Sequence, residues 1–445
     1  MLTLAQDTML GNIPSDWRAK PLKKLLALNT PGDWGEDRGP NMVRVVRSTN
    51  LTSGGHLDLT DVALRALDPK KAAILRPFKN DILLERSGGG PDQPVGRVGF
   101  VENDMPEHGF SNFLHLLRPD KGKVNPRFLA WVLLQINQTG RILRLEQQTT
   151  QMRNLNFRDY LTMPLPSPPP EEQESIAMLL DSADTAISCT SDSIRRAAEL
   201  KHAVVQDFFI AALGQTAYAD HPTKPLPAGW KLLRTDELIW GEPKNGVSPA
   251  TFSQPPGVPT FSIAAVRDGR VDLSKTEHLK FAILTDKIAD KFRIAKGDVL
   301  IVRGNANPDL VGKAGQITTF PEGCIYPDIT MRVRFRDDVD HPITPEYAVL
   351  VWNHPIVHNQ VLRRAKTSNG TLKINKQDVK QMILPVPPPD EQESITRLAG
   401  TCDEKSAALA ERLSALEELK KALMNDLLTG TVRVDPKLFE EEALV

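Results

Sequence analysis

Two short segments of the sequence combine an arginine with small polar residues directly after an apolar run. Arg86 and Ser87 begin the segment RSGGG, and Arg303, Asn305 and Asn307 stand in the segment RGNAN. The planar guanidinium of arginine can donate two parallel hydrogen bonds to guanine, and asparagine can pair with adenine in a similar way. Both segments are therefore candidates for reading the edges of DNA bases. A solvated loop is the alternative interpretation of each segment taken alone.

A second pair of segments, residues 147–154 and 366–373, is dense in amide, hydroxyl and basic groups. Such groups can contact base edges or the sugar–phosphate backbone. The candidates in these two segments are Gln148, Gln151, Arg153, Asn154, Thr367, Ser368, Asn369 and Lys373. Because both kinds of segment occur twice with different residues, the solvated-loop interpretation becomes weaker.

Five more residues complete the candidate DNA-binding set. Arg97 and Lys313 follow glycines at matched places and are predicted to anchor phosphates, which positions a protein on DNA without reading its sequence. Arg47, Lys244 and Asn245 are further candidates for DNA contacts.

The sequence contains no motif for catalysis or metal binding. The patterns GxGxxG, HExxH, GxSxG and paired CxxC are all absent. Cys189, Cys324 and Cys402 lack the spacing of zinc ligands, and scattered cysteines are typical of a reducing cytoplasm. There is no run of 18 apolar residues, and the N-terminus lacks the features of a signal peptide. We therefore expect a non-catalytic cytoplasmic chain, without a membrane partner, a metal or a cofactor of its own.

The sequence repeats itself at an offset that drifts from 213 to 219 residues. The matching islands are IPSDW at 13–17 with LPAGW at 226–230, DILLER at 81–86 with DVLIVR at 298–303, and NPRF at 125–128 with TPEY at 344–347. Between these islands the two copies diverge freely. This pattern indicates one scaffold that is built twice and carries two different surfaces.

Each copy closes with a proline run, a cluster of acidic residues and a long helical pattern. The two closing segments are PSPPPEEQESI at 166–176 and PVPPPDEQESI at 385–395. Proline interrupts strands and helices, and carboxylates favour the first turn of a helix. Each segment is therefore predicted to be a hinge from which a helix begins.

The two helical patterns share one apolar seam that advances alternately by three and four residues, which is typical of coiled coils. The seam residues of interest are Ile187, Ile194, Lys201, Leu409, Leu413, Leu416 and Lys420. Lys201 and Lys420 occupy equivalent seam positions, where a lysine weakens packing but fixes the register, and acidic residues of a partner helix could neutralise it. Helices of this length are unstable alone in water, so we expect the two seams to pack against each other.

The remaining patterns predict an α+β fold. Residues 81–85 and 298–302 are predicted to be buried strands, and residues 128–134 and 347–352 are predicted to be short helices that follow a proline. Residues 331–335 alternate apolar and basic side chains, which predicts a half-exposed strand with one basic face.

The sign of the net charge differs between the two globular bodies, which precede the closing segments, and the long helical patterns, although the chain as a whole carries a net charge of only −1. The net charge is +5 over residues 1–165 and +5 over residues 225–384, against −5 over residues 166–224 and −6 over residues 385–445. Basic bodies suit a polyanion such as DNA, and acidic helices suit another partner.

These residues together resemble the specificity (S) subunit of type I restriction–modification enzymes. The resemblance extends over the whole chain, and its most specific element is the hinge and helix that occur twice. The terminal segment LLTGTVRV at 427–434 adds to it. The resemblance implies two α/β target-recognition domains, separated by two long antiparallel coiled-coil helices, with a pseudo-twofold internal repeat. The implied domains are residues 1–165 and 215–384, the helices are residues 166–214 and 385–430, and residues 431–445 form a tail.

The same resemblance implies the function and the partners. Each domain would read one half of a bipartite, asymmetric site in double-stranded DNA. The helices would set the unspecified spacer and dock two methyltransferase subunits, which use S-adenosylmethionine. Motor–nuclease subunits, two in a full complex, would use ATP and Mg²⁺. None of these cofactors belongs to this chain.

Two other functions are consistent with the residues. A coiled-coil scaffold that presents two protein-binding domains would show the same helices but would not bind DNA at moderate salt. A methyltransferase or nuclease without a known motif is the third alternative.

Overall fold

Mixed helices and strands make up the chain, in agreement with the predicted α+β class. The computed structural model describes residues 4–89, 93–148, 153–267, 269–274, 276–368 and 370–435. Contacts within the chain divide it into two units: unit 1 comprises residues 1–192 and 409–445, and unit 2 comprises residues 193–408. Each unit therefore combines one body of strands and short helices with about half of each long helix.

The elements of unit 1 come mostly from the first half of the chain. Its strands are β1 (Leu4–Thr8), β2 (Gly11–Pro14), β3 (Arg18–Pro21), β4 (Leu26–Pro31), β5 (Met42–Val46), β6 (Ala63–Ala66), β7 (Ile82–Glu85), β8 (Ser87–Gly89), β9 (Val98–Phe100), β10 (His108–Phe110), β11 (Leu114–Pro119), β12 (Glu146–Gln148), β13 (Arg153–Leu155) and β14 (Pro164–Ser167). Its helices are α1 (Leu22–Leu25), α2 (Pro69–Ile74), α3 (Pro126–Gln138), α4 (Phe157–Thr162) and the first part of α5 (Pro170–Leu213).

The elements of unit 2 follow in chain order. Its strands are β15 (Lys231–Arg234), β16 (Lys244–Asn245), β17 (Thr251–Phe252), β18 (Val258–Phe261), β19 (Val266–Arg267), β20 (Arg270–Val271), β21 (Leu279–Ala282), β22 (Val299–Val302), β23 (Gly304–Asn305), β24 (Ala314–Gln316), β25 (Thr330–Val333), β26 (Lys366–Ser368), β27 (Thr371–Lys373) and β28 (Ile383–Val386). Its helices are α6 (Thr235–Leu238), α7 (Asp286–Ala289), α8 (Pro345–Asn353), α9 (Pro355–Arg364), α10 (Lys376–Lys380) and the first part of α11 (Pro389–Thr429).

The long helices α5 and α11 begin and end close to the predicted residues. Each begins at the last proline of its hinge, and Gly214 and Gly430 follow the two ends with φ angles of 79° and 70°. This left-handed conformation ends a helix at little cost only when the residue is glycine. The division into units cuts through both helices, so the domain boundaries at 165, 214, 384 and 430 stay a prediction.

A buried strand lies at the centre of the main sheet in each unit. Unit 1 has the antiparallel order β4-β11-β7-β9, and unit 2 has the order β16-β25-β22-β24-β20-β19. All four residues of β7 and of β22 are buried, as the sequence predicted. The helices α3 and α8 also form where they were predicted, each with a proline in its first turn.

A buried aspartate precedes each central strand and binds an arginine from the neighbouring strand. Asp81 accepts hydrogen bonds from Nε and Nη2 of Arg118 at 2.8 and 2.7 Å, and Asp298 pairs in the same way with Arg334. Each aspartate also accepts a backbone N–H from three residues earlier in its own turn. The repeated aspartate therefore fixes the turn that leads into the central strand.

The prediction of a half-exposed β25 with a basic face is wrong. All four residues of β25 are buried, because the strand lies between β16 and β22. Arg332 Nη1 lies 3.7 Å from Asp298 and donates to the carbonyl of Arg293 at 2.6 Å. Arg332 thus neutralises a buried carboxylate inside the body, whereas Arg334, which directly follows the strand, is exposed and pairs with the same carboxylate.

The hinge motif joins the opening tryptophan of each copy to the start of its long helix. Trp17 Nε1–H donates to Glu172 at 3.1 Å in unit 1, and Trp230 Nε1–H donates to Glu391 at the same distance in unit 2. The tryptophan belongs to the first matching island of each copy, and the glutamate belongs to its closing segment. Their contact explains why the two short motifs recur together.

The glutamine that follows each hinge glutamate fixes the body in a second place. Gln173 accepts the backbone N–H of Asn125 at 2.8 Å, and Gln392 accepts that of Thr344 at 3.0 Å. Asn125 and Thr344 are the N-cap residues of α3 and α8. Each glutamine also donates to a carbonyl of its own proline run. The hinge is therefore bound tightly to the body of its unit.

Candidate nucleic-acid interface

In unit 1 the two predicted polar segments are parts of one small sheet, and not separate loops. The antiparallel strand order is β12-β13-β8, with Arg153 opposite Gly89 and Asn154 opposite Ser87. On its other side, Arg153 lies opposite Gln148. The structure thus brings the first segment, which follows β7, together with the second segment, which precedes α4.

Unit 2 builds the same small sheet from the equivalent segments. Its strand order is β23-β27-β26, with Gly304 opposite Lys373 and Asn305 opposite Leu372. Thr367 of β26 also lies opposite Leu372. The repeat recognised in the sequence is therefore a repeat of backbone pairing, on which the two units carry different side chains.

Arg86 and Arg303 occupy equivalent backbone positions at the base of these sheets. The N–H of Arg86 donates to the carbonyl of Phe113 at 2.8 Å, and its carbonyl accepts the N–H of Leu155 at 2.8 Å. Arg303 makes the same two bonds, with Ile329 at 2.8 Å and Ile374 at 2.9 Å. Two backbone bonds on opposite sides hold each arginine firmly between the main sheet and the small sheet.

The two arginine side chains differ in exposure. The Arg86 side chain is exposed, whereas Arg303 is half-buried and its Nη1 donates to the carbonyl of Asp328 at 3.3 Å. Burial, together with the positive charge of Arg86, lowers the pKa of the nearby His115 to about 4. His115 is therefore neutral near pH 7, and the exposed Arg86 is the charged member of this pair of neighbours.

Asn305 and Asn307 shape the segment that follows Arg303. The side-chain oxygen of Asn305 accepts the N–H of Asn307 at 2.9 Å, and that of Asn307 accepts the N–H of Asp309 at 2.9 Å. Such bonds are typical of turns that asparagine stabilises. Each amide oxygen thus accepts one hydrogen bond within the turn and keeps a second lone pair, which the predicted pairing with adenine would use.

Arg97, which the sequence predicted to anchor a phosphate, is engaged with partners inside the protein. Its guanidinium donates to both carboxylate oxygens of Glu85 at 2.8 and 2.9 Å, and to the carbonyls of Ser48 and Leu51 at 3.0 and 3.2 Å. The Arg97 side chain is only 16% exposed, and that of Glu85 is 1% exposed. Arg97 therefore neutralises a buried carboxylate and holds the segment around residue 50 in place.

The other basic candidates are only partly available for DNA. Arg153 Nη1 donates to Glu146 across the small sheet at 3.1 Å, and Arg47 Nη2 donates to Asp61 at 2.8 Å. Lys313 is half-buried beside His358, whose pKa is lowered by burial and by this lysine. Lys373 is exposed on β27.

Of the six remaining candidates, two lie in the main sheet of unit 2, two lie in the small sheets, and two lie outside the described residues. Lys244 and Asn245 form β16, at the edge of the main sheet of unit 2, where Lys244 is exposed. Gln148 and Ser368 are the last residues of β12 and β26, for which the backbone alone is described. Gln151 and Asn369 lie outside the described residues.

Acidic partners face both seam lysines. Lys201 Nζ lies 2.7 Å from each carboxylate oxygen of Asp403 in unit 2, and Lys420 Nζ pairs with Asp184 in unit 1. Also in unit 1, Arg433 binds Glu172 at 2.6 Å. Residue 172 precedes residue 184 in α5, whereas its partner 433 follows 420, so in unit 1 the end of α11 and the residues after it run opposite to α5. The seam residues Ile187, Ile194, Leu409, Leu413 and Leu416 are all half-buried.

Unit 1 adds a histidine to its lysine–aspartate pair. His56 Nε2 lies 2.6 Å from Asp184 and its Nδ1 lies 3.2 Å from Glu102, while Lys420 Nζ also lies 4.6 Å from the centre of the Trp131 ring. Burial alone would raise the pKa of Asp184, but the hydrogen bonds from His56 and Lys420 lower it to about 2. The hydrogen bond to Asp184 raises the pKa of His56. This cluster connects the body of unit 1 to its helices.

Each of these clusters lies in an open cleft between a body and its helices. The cleft of unit 1 has a volume of about 1590 Å³ and includes His56, Asp184 and Lys420. The cleft of unit 2 has a volume of about 1540 Å³ and includes Lys201 and Asp403. Among the described residues no cluster of histidine, cysteine, aspartate and glutamate could hold a metal ion, and no described helix is long and apolar enough to cross a membrane.

Sequence reasoning overlooked Phe113 and Ile329, whose carbonyls bind the two equivalent arginines. Both side chains are apolar, so their residue types gave no sign of these backbone contacts. Their equivalence could have been found from the repeat, because Arg86 and Phe113 are separated by 27 residues and Arg303 and Ile329 by 26.

Part of the chain matches a known protein family. Residues 14–199 match the family described as the type I restriction modification DNA specificity domain. This part of the chain is therefore similar to a type I DNA specificity domain. This result confirms the family resemblance that the hinge and helix motifs indicated.

Relatives of the specificity domain extend the match along the chain. The EcoKI specificity subunit of the type I restriction enzyme from Escherichia coli (strain K12) is 24% identical over 400 residues, which cover 87% of this chain and 82% of that protein. The StySPI specificity subunit from Salmonella potsdam is 21% identical over 393 residues, with the same coverage of both chains. The predicted absence of catalysis agrees with these relatives, which are named for specificity.

Solved structures show that the fold is shared. The S subunit of the type I restriction–modification system from M. genitalium covers 96% of this chain and 98% of its own, with a TM-score of 0.57 and 14% identity. A chain from a structure of type I R-M complex assembly and conformational transition covers 94% of this chain and 99% of its own, with a TM-score of 0.51 and 19% identity.

Proposed function

We propose that this chain is the DNA specificity subunit of a type I restriction–modification complex, in which each unit reads one half of a bipartite, asymmetric site. The observation that supports it most strongly is the small sheet that both units build from the same backbone pairing with different side chains. One scaffold with two sets of side chains suits two different half-sites.

The form of the small sheet suits the major groove of DNA. This groove admits a two-stranded β-ribbon such as the pair β12 and β13 or the pair β26 and β27, and each base pair displays there a distinct pattern of donors and acceptors. The exposed Arg86 in unit 1 can pair with guanine, and Arg303 can do so in unit 2 once it releases the carbonyl of Asp328. The exposed Lys244 and Lys373 can contact phosphates.

The long helices would serve as the spacer and as the docking site for other subunits. The proposed arrangement is two target-recognition domains held apart by α5 and α11 as an antiparallel coiled coil. Leu200 and Leu419, which are equivalent in the repeat, are 57% and 51% exposed on these helices. Exposed leucines in acidic helices suit protein partners and not DNA.

The proposed partners are double-stranded DNA, two methyltransferase subunits that use S-adenosylmethionine, and two motor–nuclease subunits that use ATP and Mg²⁺. The complex would act in the cytoplasm, where it has access to DNA. The chain itself would contribute recognition and geometry, and the partners would contribute catalysis.

Modified-base sequencing tests this proposal. A host that expresses the chain with its methyltransferase partner should acquire methylated adenine in a motif of two defined halves and an undefined spacer. The absence of a motif, together with no salt-sensitive DNA binding by the full chain, would favour the scaffold alternative. Crosslinking of S-adenosylmethionine to the isolated chain would instead favour an enzyme.

A further inference from the structure

Phe113 is an exposed aromatic residue at the place where the polar residues of unit 1 converge. The residue is 36% exposed, and it lies in the tight turn between β10 and β11, where the N–H of Leu114 donates to the carbonyl of Ser111 at 2.9 Å. The carbonyl of Phe113 accepts the N–H of Arg86 at 2.8 Å and that of Ser87 at 3.4 Å. Its backbone is therefore fixed beside the exposed arginine.

The Phe113 ring lies next to the small sheet as well. A Cβ atom placed on Gly88 would stand 3.8 Å from Cδ1 of Phe113. Gly88 has a φ of 112°, a conformation that other residues rarely adopt. The glycine leaves β8 without a side chain at this point, and the phenyl ring supplies the apolar surface there.

Unit 2 places a smaller apolar residue in the equivalent position. The carbonyl of Ile329 accepts the N–H of Arg303 at 2.8 Å, as Phe113 does for Arg86. Ile329 is half-buried. Each unit thus pairs an arginine with an apolar neighbour, and the size and exposure of that neighbour differ between the units.

We propose that Phe113 is a specificity-determining residue that contacts the 5-methyl group of a thymine beside the base contacted by Arg86. The thymine methyl is the apolar group that bases display in the major groove, and phenylalanine is one of the side chains that recognise it. Ile329 makes the equivalent contact beside Arg303. This inference rests on the proposed reading of one half-site by each unit.

Uracil substitution tests the contact, because deoxyuridine lacks only the methyl group. The full chain in its methyltransferase complex is titrated with duplexes that carry the mapped motif, with each thymine of each half replaced in turn by deoxyuridine. One replacement in the half read by unit 1 should weaken binding about fourfold, the factor expected when one methyl-sized group is no longer buried. Phe113→Ala should bind the thymine and deoxyuridine duplexes equally.

Further variants separate the contact from a loss of folding. Phe113→Leu keeps an apolar side chain and should keep part of the discrimination, and Ile329→Ala should remove thymine discrimination in the other half alone. The inference fails if Phe113→Ala discriminates thymine from deoxyuridine as the wild type does, or if the half read by unit 1 contains no thymine. Equal binding of all these duplexes by the wild type also overturns the inference, whereas equal binding of the motif duplex and of a duplex without the motif would overturn the proposed function itself.

Discussion

Lys201 Nζ lies 2.7 Å from both carboxylate oxygens of Asp403, and the same relationship recurs 219 residues away between Lys420 and Asp184. The lysine is on α5 in one pair and on α11 in the other. Both members of the first pair belong to unit 2, and both members of the second belong to unit 1. The two pairs therefore specify the same register between α5 and α11. In one pair α5 supplies the lysine and α11 the aspartate, and in the other pair these roles are exchanged.

Replacement of Lys201 by methionine should lower the melting temperature of the full chain by about 2–4 °C, as expected for a loss of about 1 kcal/mol in a half-buried pair. The double variant Lys201→Met, Asp403→Leu should recover most of this loss, because no carboxylate remains without its partner. Thermal denaturation of both variants measures the effect, and Lys405→Met, at an exposed position of α11, is the control. Equal losses in the single and double variants would contradict the role of the pair.

The cluster around His56 should make unit 1 sensitive to pH. Because the folded pKa of His56 is raised, its contribution to stability is complete below the ordinary value of about 6.5 and disappears as the pH rises through the folded value. The difference between the melting temperatures of the wild type and of His56→Phe should therefore decrease as the pH is raised from 6 to 9. His221→Gln, at an exposed position, is the control for the loss of a histidine, and a flat difference for His56→Phe would exclude the effect.

The two hinge glutamates should differ in importance. Glu172 accepts from Trp17 and also binds Arg433 through two hydrogen bonds at 2.6 and 2.8 Å, whereas Glu391 accepts from Trp230. Glu172→Ala leaves the guanidinium of Arg433 without this carboxylate and should destabilise the chain by about 2–3 kcal/mol. Glu391→Ala is the matched variant and should cost about 1 kcal/mol. Chemical denaturation followed by tryptophan fluorescence compares the stability lost in the two variants. A larger loss for Glu391→Ala than for Glu172→Ala would contradict this prediction.

Arg86 and Arg97 should separate recognition from stability. Arg86→Ala should leave the melting temperature unchanged and relax the sequence requirement at one position of one half-site, a loss of about 1–3 kcal/mol in discrimination. Arg97→Ala leaves Glu85 buried without its partner and should destabilise the fold by about 3 kcal/mol. Methylation mapping and thermal denaturation of both variants are the two measurements. A destabilised Arg86→Ala with an unchanged motif would show that the two roles have been assigned wrongly.

Periodicity and short matched motifs predicted much of the scaffold. The helices α5 and α11, the buried strands β7 and β22, and the glycines that end the helices follow from local preferences that act within a few residues. The small sheets could not be predicted in this way, because β8 pairs with β13 across more than sixty residues of sequence. Polar segments that look like loops become strands when a distant segment completes their hydrogen bonds.

The candidate site was harder to predict for a related reason. Whether an arginine is exposed depends on acidic residues elsewhere in the chain, so the sequence could not distinguish Arg86 at the surface from Arg97, which is bound to Glu85. Arg332 illustrates the same point, because its strand became central through pairing with β16 and β22. Composition shows that basic residues are present, and tertiary contacts decide which of them can meet DNA.

Exchange of one body tests the central proposal most directly. Residues 1–165 are replaced by the corresponding segment of a relative with a different methylation motif, and the motif of the hybrid is mapped by modified-base sequencing in a host that supplies the methyltransferase partner. The proposal predicts that one half of the motif changes while the other half and the spacer length are preserved. A change in both halves, or no change in either, would contradict the reading of one half-site by each unit.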